Sequence, residues 1–309
     1  MPRVLRLKNN EQKTCYHVMS RSVLDGYPLG DQEKDELVKI IKQFSKLFFV
    51  EVLGFCIMGN HWHAVIKIFP DSYFTNDQIL ERYKAFYGED REIADDWYSA
   101  IRKRLSNLSD FIKEIKQTFS RYYNNRHNRR GTFWGERFKS LIVQSGETLI
   151  NCLAYVELNP IRAGIVQRPE DYRWCSLAYY LQTNNKDEFL STDFGLLEFG
   201  ELNEQERIRR YRRYVYEAGS LDRKEQKPVA TIHDKIINKE REKNFKVNKI
   251  DRFLHRTRYF SDSGIIGSKE FVFQSYLKFK NLFKSKKEKK PVKITSLDGI
   301  YSLKRLIKT

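Results

Sequence analysis

Apolar positions along the first 180 residues change period several times, and each change marks an element. Tyr16 to Val23 read as a strand, while Asp31 to Phe48 bring Leu37, Ile40, Ile41, Phe44 and Leu47 onto one helical face. Two apolar runs, Glu51 to Met58 and His61 to Ile68, flank Gly59-Asn60, a pair that tolerates the positive φ of a tight turn, so a hairpin is expected. Asp71 to Leu105 predict a charged helical insertion. Ser109 to Asn125 predict an amphipathic helix carrying Phe111, Ile112, Ile115 and Phe119, and Phe138 to Gln144 a short strand. Ser145-Gly146-Glu147 then opens a helix, with a serine suited to capping and an acid in the first turn, that runs to near Gly164 with Leu149, Leu153 and Val156 toward the core.

The order strand, helix, strand, strand, helix, strand, helix predicts an α+β fold, a ferredoxin-like split βαβ sandwich with a mainly antiparallel sheet. It is expected to fill residues 1–184, with 71–105 as the insertion. Residues 185–309 read as a basic, mostly helical extension, charged as in Glu206 to Tyr216 and poor in the apolar residues an independent core needs. Lys278 to Lys293 are lysine-dominated, which suits either a solvated tail or a DNA-contacting one.

Charge changes the picture. The 309 residues include 57 Lys and Arg against 40 Asp and Glu, a net +17 that concentrates polyanions around the protein. Nucleic acid is the first partner to expect and a membrane surface the competing one. Aromatic residues at 14% favour nucleic acid, because unpaired bases stack on aromatic rings beside basic grooves. The longest apolar run, Phe48 to Met58, falls far short of the ~20 residues of a spanning helix, so no membrane segment is expected. The first residues, broken by Arg3, Arg6 and Lys8, lack the apolar core of a secretion signal, and Cys15, Cys56, Cys152 and Cys175 form no CxxC pair. A reducing cytoplasm is the expected compartment.

Candidate chemistry sits at His61 and His63. In a strand, side chains at i and i+2 share a face roughly 7 Å apart, a spacing from which both rings can lean onto one cation. The plain alternative is a pair of hydrogen-bonded histidines on a half-buried strand. On the later helix Asn151, Tyr155 and Asn159 form a polar stripe, and Tyr155 and Asn159, four residues apart, can address a single point. A cation there would lower the cost of a tyrosine phenolate nucleophile; a tyrosine merely holding helix to sheet is the other reading. Pro160 disfavours helical geometry at Asn159 and predicts that it sits at a kink or in the last helical turn. Arg121, Arg126, Arg129, Arg130, Arg137 and Lys139 interleave with Tyr122, Tyr123, Phe133, Trp134 and Phe138, a mixture suited to phosphates and stacked bases.

These segments together resemble the HUH single-tyrosine transposases, and among them the REP-associated tyrosine transposases. The likeness is carried by Tyr16-His17-Val18-Met19-Ser20-Arg21, by Met58-Gly59-Asn60-His61-Trp62-His63, by Phe119-Ser120-Arg121-Tyr122-Tyr123-Asn124, by Gly131 to Lys139 and by Tyr155-Val156-Glu157-Leu158-Asn159-Pro160-Ile161-Arg162-Ala163-Gly164. It covers about residues 13–180. The resemblance implies metal-dependent cleavage and joining of single-stranded, hairpin-forming DNA, with Tyr155 as nucleophile and a 5′-phosphotyrosyl intermediate. It also implies a divalent cation, Mg²⁺ or Mn²⁺, held by His61, His63 and Asn159; imidazole donors suit Mn²⁺ better than Mg²⁺. Arg121, Tyr122, Arg126, Arg129, Arg130, Trp134, Arg137 and Lys139 are the expected DNA contacts, in a monomer or homodimer. Arg258 to Phe271 is similar to extensions on longer members and reads equally as a helix-turn-helix-like element or a packing appendage. A catalytically idle hairpin binder and a water-using phosphodiesterase remain the competing functions.

Overall fold

A computed structural model describes residues 7, 9, 11–192, 203–219, 231–233, 236–238, 263–282, 289–293 and 299–304. The strands are β1 (Thr14–Arg21), β2 (Val50–Ile57), β3 (His61–Ile68), β4 (Lys139–Val143), β5 (Ser263–Gly267), β6 (Val292–Lys293) and β7 (Tyr301–Lys304). They form one seven-stranded, mainly antiparallel sheet in the order β2-β3-β1-β4-β5-β7-β6. The helices are α1 (Asp31–Leu47), α2 (Asn76–Tyr87), α3 (Tyr98–Leu105), α4 (Leu108–Arg126), α5 (Glu147–Glu157), α6 (Asn159–Arg162), α7 (Ser176–Thr183), α8 (Glu204–Gly219) and α9 (Lys269–Phe279). None is long and apolar enough to cross a membrane.

Strand alternation sorts the core onto two faces. Tyr16 and Val18 of β1 and Trp62, Ala64 and Ile66 of β3 point to one side, where they join Leu37, Ile40, Ile41 and Phe44 of α1 and Phe111, Ile112, Ile115 and Phe119 of α4. Cys15 of β1, Val65 of β3 and Leu141 and Val143 of β4 point to the other, against Leu149, Cys152, Leu153 and Val156 of α5 and Tyr211 and Val215 of α8. The sheet is therefore covered on both faces. All four cysteines are free and buried.

Three local expectations change. Ser145 does not cap α5; the cap position is Gly146, at φ +87°, with no side-chain bond. Neither Gly59 nor Asn60 takes a positive φ. Gly59 is instead needed for close approach, since a Cβ there would lie 2.7 Å from the Tyr27 ring. The helix expected to reach Gly164 breaks at Leu158 into α5 and α6; Asn159 is helical, the first residue of α6, with Pro160 beside it in the first turn, so the interruption falls one residue before the expected kink.

Beyond 185 the described residues carry α8 and α9, as the helical expectation had it, but they also supply β5, β6 and β7, which the sequence did not suggest. β5 pairs in parallel with β4, setting Ile265 beside Ile142 and Ile266 beside Val143. Ser263–Gly267, where a helix-turn-helix-like start was one reading, is thus sheet, and Ser268 caps the helix after it by accepting from the Phe271 N–H at 3.2 Å. Residues 258–262 of that segment, and 283–288 of the lysine-dominated stretch, lie outside the described residues. A five-residue apolar strand is too short for a period of two to be told from a helix start, and only the open edge of β4 decides it.

Candidate functional site

β3 begins with His61, and strand alternation drives Trp62 fully into the α1/α4 face while His61 and His63 turn to the α5 face. The antiparallel register sets Arg21 opposite His61 and Met19 opposite His63. His17, two residues before Met19, shares the histidines' face, and its Nε2 lies 2.9 Å from His63 Nδ1. The two rings are nearly parallel and meet edge to edge, with centroids 5.1 Å apart and planes 11° apart. His61 is edge-on to His63 at 5.1 Å, and its Nδ1 lies 2.7 Å from Oδ1 of Asn60.

α5 crosses this face and delivers Tyr155. Its approach is close because Gly54 of β2 has no side chain: a Cβ there would sit 2.7 Å from Leu153 Cδ2. The Tyr155 ring stands edge-on to both His17 and His63, 5.8 Å from each centroid. The Arg162 guanidinium lies 4.4 Å over the Tyr155 ring and donates to the Tyr155 carbonyl. His17 and His63 are each 2% exposed and Tyr155 7%, so His61 and Arg21 form the outer margin of the site.

The electrostatics keep these imidazoles neutral. Burial, then the Arg21 charge, brings His61 down to about 4. Burial, followed by His17, His61, Arg162 and Arg21, holds His63 well below the ordinary histidine range. Neutral imidazoles keep a lone pair, which is the form a metal needs. With each Nδ1 engaged by a protein partner, the Nε2 atoms are the donors left, and they suit Mn²⁺ or Zn²⁺ over Mg²⁺. No group of three or more His, Cys, Asp or Glu side chains arranged for a metal occurs among the described residues. Asn159 donates its amide N–H groups to the carbonyls of Tyr155 and Val156, both at 3.1 Å; an amide ligates through Oδ1, which those bonds do not use. Asn151, the first residue of the expected stripe, turns to α8 and accepts from Tyr214 Oη at 2.5 Å.

The expected DNA contacts divide. Arg121, Trp134 and Arg137 line a groove of about 890 Å³ between α4 and residues 132–138, together with Lys113 and Lys116. Trp134 is only 5% exposed, donates its indole N–H to the Lys116 carbonyl and packs on Phe119, so the face expected to stack on a base belongs to the core. Arg126 is paired with Glu33 at 3.2 Å, and Arg129 reaches Asn124 at 3.3 Å. Arg130 is exposed, Tyr122 half-buried against Phe119, and Lys139 half-buried at the start of β4 opposite Met19. Groove and histidines open at one end of the sheet, since Trp134 bridges to Ser22 and Gly135 donates to the Arg21 carbonyl.

Sequence reasoning passed over Tyr27, Lys113 and Lys116, and the roles of His17, Arg21, Asn60 and Arg162. The period of two in β1 was the available signal for His17, but only the pairing of β1 with β3 shows which imidazole it meets. Tyr27 is 82% exposed beside the hairpin turn, with its ring against Gly59.

No family model matches the chain, and no curated protein sequence matches it. Among solved structures, a REP-associated tyrosine transposase bound to a REP hairpin aligns with 60% of this chain and 90% of its own chain, at 12% identity and a TM-score of 0.41. A likeness at that identity and score shows neither family nor activity.

Proposed function

We propose that this protein is a metal-dependent, tyrosine-nucleophile endonuclease and strand transferase for single-stranded, hairpin-forming DNA. The observation that carries the reading is the convergence of Tyr155 from α5 on His17 and His63 from two paired strands, with Arg162 over its ring. The strand order β2-β3-β1-β4, with α1 and α4 on one face, supports a ferredoxin-like core of the HUH type beneath that site.

In this reading His61 and His63 hold a divalent cation, with Asn159 Oδ1 as the third protein donor. When bound, the cation polarises the scissile phosphate and offsets its charge. Tyr155 Oη attacks phosphorus, the bond from phosphorus to the 3′ oxygen breaks, and the phenolic proton ends on that oxygen. The products are a 5′-phosphotyrosyl chain and a free 3′-hydroxyl, and attack by another 3′-hydroxyl reverses the step. The Arg162 guanidinium packs over the Tyr155 ring and holds it in place, and Arg21 beside His61 attracts the phosphate. Lys113, Lys116, Arg121 and Arg137 carry the flanking backbone, and Tyr27 offers a face to an unpaired base.

One observation favours a second reading, an idle hairpin binder: at 7% exposure Tyr155 is covered. Labelled hairpins from the gene's flanks, incubated with Mn²⁺ and wild type or Tyr155→Phe and resolved on a denaturing gel, separate the two. A covalent protein–DNA band in wild type alone is expected. Tight binding with no adduct across hairpins and metals establishes the binder, and an adduct that survives in Tyr155→Phe removes Tyr155 as nucleophile.

A further inference from the structure

His61 and His63 differ in depth and surroundings yet share one feature: each has its Nδ1 within hydrogen-bond distance of a protein atom, Asn60 Oδ1 at 2.7 Å and His17 Nε2 at 2.9 Å. Asn60 Oδ1 only accepts, so the His61 proton lies on Nδ1 and its Nε2 keeps the lone pair. His17 Nε2 can accept or donate. If it donated, His63 would carry its own proton on Nε2 and have no lone pair to offer there. If it accepts, both histidines present Nε2 alike.

We propose that Asn60 and His17 are positioning residues that accept the Nδ1 protons of His61 and His63, locking both rings in the tautomer that turns Nε2 toward one divalent cation. The inference rests on the metal-site reading above. Ligating imidazoles characteristically spend the second nitrogen on such a partner, which fixes ring orientation and tautomer, and losing that partner costs roughly 10–100-fold in metal affinity. The burial of His17, 2% exposed on a strand otherwise lined by Cys15 and Met19 on this face, has a reason on this account. A polar ring is kept in the core because the ring across the strand needs an acceptor. The two ring planes are within 11° of parallel, as an in-plane hydrogen bond between imidazole nitrogens requires. Neither acceptor is a carboxylate, so the imidazoles stay weaker donors than ones backed by carboxylate.

Two measurements on the full chain test this. The first is the long-range ¹H–¹⁵N pattern of the metal-free protein labelled at histidine, which reports the tautomer directly. Wild type is expected to show His61 and His63 protonated on Nδ1; Asn60→Ala is expected to mix the tautomers of His61 alone, and His17→Leu those of His63 alone. Nε2–H tautomers for His61 and His63 in wild type overturn the proposal whether or not metal binds. The second is Mn²⁺ affinity, read from the loss of the free-ion electron paramagnetic resonance signal. His17→Leu is expected to weaken it 10–100-fold, and His17→Gln, whose amide oxygen accepts, to recover to within a few-fold. Hairpin affinity without metal should not change in either variant. Equal Mn²⁺ affinity in wild type and His17→Leu, or a His17→Gln as weak as His17→Leu, overturns the positioning role. Mn²⁺ binding by wild type that His61→Ala and His63→Ala together leave unaltered removes the metal-site reading itself, with the tautomer result still standing on its own.

Discussion

Glu157 shows how one residue can be held in a state that its type does not suggest. It is 1% exposed, two positions after Tyr155, and accepts from Ser176 Oγ and, at 3.5 Å, from Tyr211 Oη. Burial pushes its carboxyl up to about 7 against the pull of those bonds. Between about 4.5 and 7 the native state therefore keeps a proton that the unfolded chain has lost, and stability falls as pH rises through that window. Glu157→Gln keeps the shape and removes the titration. The unfolding free energy of the variant relative to wild type is expected to rise by about 3 kcal/mol from pH 4.5 to 8, measured by urea titration at each pH. A difference independent of pH would show that Glu157 is ionised in the fold. At this scale the sequence was legible in part: the i, i+2 spacing of His61 and His63 and the place of Tyr155 were visible, because alternation in a strand and the turn of a helix follow from local geometry. The partners of these residues were not, because Asn60 Oδ1 and His17 Nε2 meet the histidines only after the hairpin has turned and β1 has paired.

Between elements, the approach of α5 to β2 is set by what is missing at Gly54. A Cβ there would meet Leu153 Cδ2 at 2.7 Å and Ser176 Oγ at 3.1 Å, both in the buried layer between strand and helices. Gly54→Ala is expected to cost about 1–3 kcal/mol by overpacking. Leu153→Ala, which alone should cost about 2–5 kcal/mol, is expected to absorb part of that penalty in the double variant. Additive losses in denaturant titrations of the three variants would show that helix and strand are not in contact there. A glycine within an apolar run signals a bulge or a close approach, and β2 has both, with its register shift between Val52 and Gly54. The sequence carried that signal; it did not say which helix approaches, since α1 and α5 flank opposite faces of the same strands.

Over the whole molecule, the last third is built into the first. β5 continues the sheet from β4, Tyr214 of α8 bonds to Asn151 of α5, and Arg212 pairs with Glu170 at 2.7 Å. Pairing removes the open edge that β4 would otherwise present, and α8 braces the helix that carries Tyr155. Ile265 is fully buried in β5. Ile265→Asp should lower the melting temperature of a single transition for the entire chain, by several degrees or more, because an unpaired buried charge acts on the shared core. Two separate transitions by calorimetry, with only the weaker one displaced, would make the extension an independent unit.

The sequence by itself determined the periodic elements up to about residue 180, the shared face of His61 and His63, an interruption of the helix close to Pro160 and the basic surplus that favours polyanions. These follow from the chain's own geometry and composition over a few residues. Tertiary structure alone decided that His17 lies against His63, that α5 brings Tyr155 over the strands opposite α1 and α4, that Trp134 is spent on the core, and that β5 to β7 complete the sheet. Those outcomes depend on which distant segments bury each other's apolar faces and satisfy each other's strand edges, and no spacing along the chain encodes that choice.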